Sequence, residues 1–168
     1  MIGPILQPLP LTSARFAQFG DVISTTADGI EAMNEARFER FGNLTSVDVD
    51  SSNGGHVTIS IVRSKVQTRL PYHFDMLERH PLGSQAFIPL AGFPFVVVVA
   101  PPGESVEPDD LRAFVTNGRQ GINYHRGTWH MPLIALNEGQ EFLVVDRAPG
   151  IGNYEEWFLE EKMVLDAP

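Results

Sequence analysis

Cysteine is absent from the 168 residues, which excludes a disulfide framework, a thiol nucleophile, a cysteine-based zinc site and an iron–sulfur cluster together. Basic residues are scarce: 12 Lys+Arg stand against 21 Asp+Glu, and 12 − 21 = −9 at neutral pH. A chain so acidic repels phosphate backbones and anionic headgroups, so neither nucleic acid nor a membrane is the expected partner. No apolar run approaches the roughly 20 residues of a membrane-spanning helix. The strongest, 93–100, is strand-sized. The N-terminal Met-Ile-Gly-Pro-Ile-Leu-Gln-Pro lacks the basic start and long apolar centre of a secretory signal, so the expected compartment is the cytoplasm. The sequon Asn43-Leu44-Thr45 then has no bearing on glycosylation. What remains is an ordinary globular composition, 43% hydrophobic and 20% charged, at a length that fits a single domain over 1–168.

Helical signals are few. Thr12 to Gly20 has a hydroxyl cap at one end and a glycine stop at the other, and Pro108 to Arg112 reads as one turn with acidic residues at its start. Strand signals dominate: 57–63, 85–90, 95–100, 121–125, 129–136 and 141–146 are short apolar or alternating runs separated by Gly, Pro, Asn or Glu-Gly turns. The segments 28–41 and 153–162 are ambiguous. Several short strands with such punctuation predict a mainly β sandwich, jelly roll or barrel. The run Phe95 to Val99 is apolar on both faces, as in a strand covered on both sides within one subunit or lying between a barrel and a partner.

Two stretches carry chemistry. If 72–80 is a strand, alternation puts Tyr72, Phe74, Met76, Glu78 and His80 on one face, an apolar wall that turns polar at one end. That suits a concave ligand site, although Glu78 and His80 at a strand end can equally pair with each other or with solvent. In 123–132, His125 and His130 flank Gly127 beside Tyr124 and Trp129, so two of the five histidines share one short window. Histidine changes charge near neutral pH and is the commonest metal ligand, but a single histidine among aromatics is more often a hydrogen-bonded core residue.

The spacings resemble the two motifs of the cupin superfamily. Glu78-x-His80, then Gln85 and Gly92, is similar to the first, in which two histidines one residue apart precede a glutamate and a glycine. His125-x-Gly127-x-x-His130 is similar to the second, Pro-x-Gly-x-x-His. Here Glu78 replaces the first histidine, Gln85 the glutamate and His125 the proline. A more specific resemblance lies in Leu77-Glu78-Arg79-His80-Pro81-Leu82-Gly83-Ser84-Gln85-Ala86-Phe87-Ile88-Pro89-Leu90, in Leu111 to Gly118 and in Gly121 to His130. These segments, with Phe19 to Ile23 and Asp146-Arg147, resemble the ureidoglycolate lyase family over nearly the whole chain.

The resemblance implies a cupin-like jelly-roll β-barrel with a few short helices, usually a homodimer. It would split (S)-ureidoglycolate into glyoxylate and urea in allantoin and purine breakdown. It also implies a divalent metal, Ni2+ first, without an organic cofactor. Glu78, His80, Gln85 and His130 are the matching ligand positions, a mixed N/O set able to hold several divalent ions. The chemistry needs a base at the substrate hydroxyl, an acid at the departing nitrogen and a cation for the carboxylate. Glu78, His130 and His125 are the expected catalytic residues. Arg63, Arg126 and Tyr124 are the expected substrate contacts: Arg63 because its strand phase groups it with Val57, Ile59 and Ile61, Arg126 with Arg79 as reserves for a planar carboxylate clamp. Two other readings remain at this point: another metal-dependent cupin enzyme, such as an isomerase or dioxygenase, and a non-catalytic small-acid-binding cupin.

Overall fold

The computed structural model describes residues 3–25 and 29–168. Among them most of the regular structure is strand, arranged in two sheets. The larger has eight strands: β1 (Ile5–Leu6), β2 (Leu9–Pro10), β7 (Tyr72–Arg79), β9 (Phe95–Ala100), β10 (Arg112–Val115), β12 (Trp129–His130), β13 (Ile134–Ala135) and β15 (Glu155–Leu165). The smaller has five: β3 (Gly20–Ile23), β6 (His56–Arg63), β8 (Gln85–Pro89), β11 (Gly121–Tyr124) and β14 (Glu141–Ala148). A separate hairpin joins β4 (Ile30–Met33) to β5 (Phe38–Phe41). A sheet curls strongly into a half-barrel, so the expected mainly β, cupin-like fold is the observed one.

The two sheets face each other across an aromatic core. Phe87, Ile122, Tyr124, Phe142 and Val144 of the smaller sheet meet Phe95, Val97, Val99 and Phe114 of the larger, with Phe16 and Phe19 closing one end. The rings meet edge-on or tilted; Phe95 and Phe142, for example, are 5.0 Å apart at 82°. On the opposite face of β9, Val96, Val98 and Ala100 pack with Leu77, Trp129, Leu159 and Met163 in a second cluster. The apolar run at 95–99 is therefore covered on both sides by its own chain. Each such valine, once buried, contributes about 1.5–3 kcal/mol.

Several local expectations shift. The helix at 12–20 contracts to one turn, α1 (Ser13–Phe16), where the Thr12 hydroxyl accepts the Arg15 N–H. Pro132 lies in the break that divides the expected 129–136 strand into β12 and β13. Residues 108–110 form the expected turn, a 3-10 helix closed by reciprocal capping between Glu107 and Asp110. In β7 strict alternation fails: Phe74 and Leu77 pack into the same cluster. The register against β15 shifts between Phe158 and Met163, so Phe74 does not share a face with Glu78.

Arg63 also falls on the other side from the one expected. Ile59, Ile61 and Arg63 stand opposite Val145, Leu143 and Glu141 of β14, whereas Phe142 and Val144 are the residues of β14 that enter the core. Val57, Ile59, Ile61 and Arg63 therefore line the outer face. Alternation established that these four share a face but could not say which.

Candidate metal centre and active site

The site is built from two cross-strand pairs on facing sheets. In the larger sheet His130 of β12 lies directly opposite Glu78 of β7, and directly opposed residues project to the same side. In the smaller sheet Tyr124 of β11 lies opposite Gln85 of β8, in phase with the core residue Phe87. The Tyr124 and His130 rings stack across the gap with centroids 4.2 Å apart and planes at 14°, so the two pairs meet. His80, just past the end of β7, brings its ring to 5.2 Å from that of His130. One ligand-type atom each from Glu78, His80 and His130 lies within 4.8 Å of the others.

Backbone carbonyls orient both imidazoles. His130 Nδ1 donates to the Thr128 carbonyl at 2.9 Å, and His80 Nδ1 donates to the Asn153 carbonyl at 2.8 Å. With the proton held on Nδ1, the neutral ring presents its Nε2 lone pair to the site, the arrangement found behind most metal-binding histidines. Both Nε2 atoms are buried without a hydrogen-bond partner, as are Gln85 Oε1 and the Tyr124 hydroxyl. Gln85 is held from behind, its Nε2 donating to Asp146 Oδ2 at 3.2 Å, which leaves the orphaned oxygen as its free acceptor. Buried polar atoms rarely go unpaired, and here they are neighbours.

The electrostatics agree. Burial opposes the charge on Glu78, but His130, whose Nε2 lies 3.5 Å from Oε1, and then His80 hold the carboxyl below the ordinary carboxylate range whenever those rings carry a second proton. Burial, reinforced by His130, lowers the His80 pKa and keeps that ring neutral at physiological pH. Burial pushes the Tyr124 phenol far up, so it stays protonated as a donor. One carboxylate and two imidazole lone pairs are a donor set that suits a borderline divalent cation. Glu78, His80 and His130 are a possible metal-binding triad, and the Gln85 oxygen is buried without a partner.

Other expected residues lie elsewhere. His125 is not gathered into the centre: its Nε2 contacts Asp21 Oδ2 at 3.2 Å, with the side chain 45% exposed. The Arg126 fork is engaged by Asp48, at 2.6 and 2.9 Å, and by Asp50. Arg63 is exposed and paired with Glu141 at 2.6 Å. Arg79 sits over the Trp129 ring at 4.5 Å and bonds Glu155. A carboxylate clamp built from Arg63, Arg79 or Arg126 would require each to leave a partner it already holds. Three clefts of about 180–260 Å³ do not include Glu78, His80, Gln85 or His130, although one is lined by residues 72–76 of β7 with 131–134 and another includes Arg63.

Three contributors escaped the sequence reading. Asp146 was legible in principle, since Phe142 and Val144 point inward and alternation carries 146 with them. Tyr154 and Asn153 gave no signal, because their segment joins the two sheets and its reach is set by pairing between distant strands. Tyr154 lies at the rim, its ring 6.2 Å from that of His80 and its hydroxyl donating to Glu156 at 2.7 Å. That hydrogen bond, with some burial, pushes the phenol pKa up.

Comparison with known proteins agrees with the architecture. The family model for ureidoglycolate lyase matches residues 3–166. A Pseudomonas aeruginosa protein named ureidoglycolate lyase is 46% identical over 159 residues, covering 94% of this chain and 93% of its own length. Relatives of the same name from Pseudomonas fluorescens and Pseudomonas putida are each 48% identical over 161 residues, covering 95% of both chains. With that coverage from end to end, this chain belongs to the ureidoglycolate lyase family.

Proposed function

We propose that this protein is a ureidoglycolate lyase that splits (S)-ureidoglycolate into glyoxylate and urea, a cleavage of the amidine-lyase type at a C–N bond, within allantoin and purine breakdown. The reading rests on the convergence of Glu78, His80 and His130 beside orphaned buried acceptors, in a chain of this family. The same convergence supports a divalent metal held by Glu78, His80, His130 and Gln85, with Ni2+ the first candidate. Such an ion, when bound, supplies positive charge to the substrate's oxygen atoms.

The chemistry follows from the substrate. One carbon carries a hydroxyl, a carboxylate, a hydrogen and the urea nitrogen. Glu78, held ionised, accepts the hydroxyl proton on the carboxylate oxygen that it would not give to the ion. The O–H electron pair becomes the C=O π bond of glyoxylate, the C–N pair leaves with the nitrogen, and that nitrogen takes back the proton from the Glu78 carboxylic acid. Atoms and charge balance without water. Tyr124 stays protonated, so its unpartnered hydroxyl donates to the substrate carboxylate. His130 stands directly opposite Glu78 on the neighbouring strand, and His80 closes the third side. Because no solvent-exposed charge has to enter, the transfers take place between groups already oriented by strand pairing.

The same reading takes the chain as one cupin domain over 1–168, acting on a small-molecule substrate in the cytoplasm as a homodimer. No described helix is long and apolar enough to cross a membrane. The outer face of β6 supports the dimer. An antiparallel sheet facing water is expected to be polar outside. Here Val57, Ile59 and Ile61 stand exposed, Ile59 at 68%, beside Leu143 and Val145 on an edge strand. Incubating purified protein with (S)-ureidoglycolate tests the activity: equal rates of urea and glyoxylate release are expected, and neither product forming sinks it. Light scattering of Ile59→Asp tests the assembly, with a shift from dimer to monomer expected.

A further inference from the structure

We infer that Asn153 is a positioning residue that sets which nitrogen His80 turns toward the centre. The inference rests on the site reading above. His80 lies beyond the last paired residue of β7, where the strand ladder fixes nothing. Its ring is oriented by one hydrogen bond, from Nδ1 to the main-chain carbonyl of Asn153 at 2.8 Å. That carbonyl belongs to the segment crossing from β14 to β15, between the two sheets. A carbonyl there is a reliable acceptor only if something fastens it.

Asn153 supplies the fastening with its own side chain. Its Oδ1 accepts the Leu82 N–H at 2.8 Å, while its N–H donates to the Gly150 carbonyl at 3.0 Å. Pro81 has no N–H, so Leu82 is the next main-chain donor after His80. Asn153 thus grips the 80–82 segment at two points, ring and backbone. From the other side the His80 carbonyl accepts the Gly127 N–H at 3.0 Å. Asn153 is 6% exposed although it is a polar residue in a connecting segment, and this double grip accounts for the burial. Gly152 before it adopts φ +73°, a conformation that side chains disfavour, so the turn is shaped to present residue 153 inward.

If the bond from His80 Nδ1 is lost, the neutral ring is free to place its proton on Nε2 and the lone pair turns away from Glu78 and His130. Asn153→Ala removes the Leu82 contact and releases the carbonyl. Asn153→Asp keeps an acceptor at the same place. Long-range ¹H–¹⁵N spectra of the metal-free proteins read the His80 tautomer directly. The wild type is expected to be Nδ1–H and the alanine variant mixed or Nε2–H, with the aspartate variant restored. Ni2+ affinity, measured by calorimetry, is expected to fall about 10–100-fold in the alanine variant, the usual effect of losing such a support. Should Asn153→Ala not fold, Gly152→Ala displaces the same carbonyl through backbone strain alone, since its Cβ would meet Leu82 Cδ1 at an ordinary 3.9 Å. A His80 tautomer unchanged in whichever of these variants folds overturns the inference. If the wild type binds no Ni2+, the metal reading fails, and the tautomer result still decides the role of Asn153.

Discussion

Two regions of this molecule contain the same residue types and differ in almost every physical respect. Inside, Glu78, His80 and His130 meet beneath Tyr124. On the smaller sheet and the loops beside it, His125, Asp21, Arg126, Asp48 and Asp50 form a comparable group of imidazole, carboxylates and guanidinium. The outer group is exposed, and its members satisfy one another: Asp21 takes both His125 and the Thr45 hydroxyl, and Asp48 takes the Arg126 fork. Exposed pairs of this kind contribute at most about 1 kcal/mol. The inner group leaves lone pairs buried and unspent, with His130 only 2% exposed. The outer charges are spent on one another; the inner imidazoles and carboxylate come together with buried nitrogens left unpartnered.

The comparison breaks if the inner residues prove dispensable. Glu78→Gln keeps shape and removes the proposed proton acceptor, so urea release is expected to fall about 10²–10⁴-fold with the circular-dichroism spectrum unchanged. His130→Ala is expected to be nearly as damaging, and treatment of the wild type with a strong chelator should lower activity until Ni2+ is returned. Full activity in chelator would detach the triad from metal chemistry. Tyr124→Phe deletes one hydroxyl and keeps the stack on His130. The expected loss is about tenfold in kcat/KM, the equivalent of one hydrogen bond at roughly 1.4 kcal/mol.

The outer group sharpens the contrast from below. His125→Ala is expected to change urea release by less than twofold, because its ring meets Asp21 and not the centre. Arg126→Ala should leave turnover intact and lower unfolding stability by at most ~1 kcal/mol, measured by urea denaturation. A large loss of turnover in either variant would reverse the assignment of inside and outside.

Much of this site was legible as local pattern, and its assembly was not. Alternation put Glu78 and His80 together, and the turn at Gly127 set His130 near Tyr124. That the two patches share one cavity depends on β7 pairing with β12, whose partners are some fifty positions apart in the chain. The resemblance to a family, not the spacing, connected them. Arg63 shows the complementary limit: periodicity grouped it with Val57, Ile59 and Ile61, and the inside or outside choice came from how β6 pairs with β14. The slip at Phe74 has a similar origin, since the irregular register lies in the partner strand β15. Asn153 was invisible because its importance lies in a hydrogen bond to a residue more than seventy positions earlier.

Anomalous diffraction at the nickel edge, from crystals of the protein loaded with Ni2+, tests the central claim most directly. One strong peak is expected about 2.0–2.2 Å from both His80 Nε2 and His130 Nε2, with Glu78 completing the contact. A peak against His125 and Asp21, or none beneath Tyr124, would contradict it.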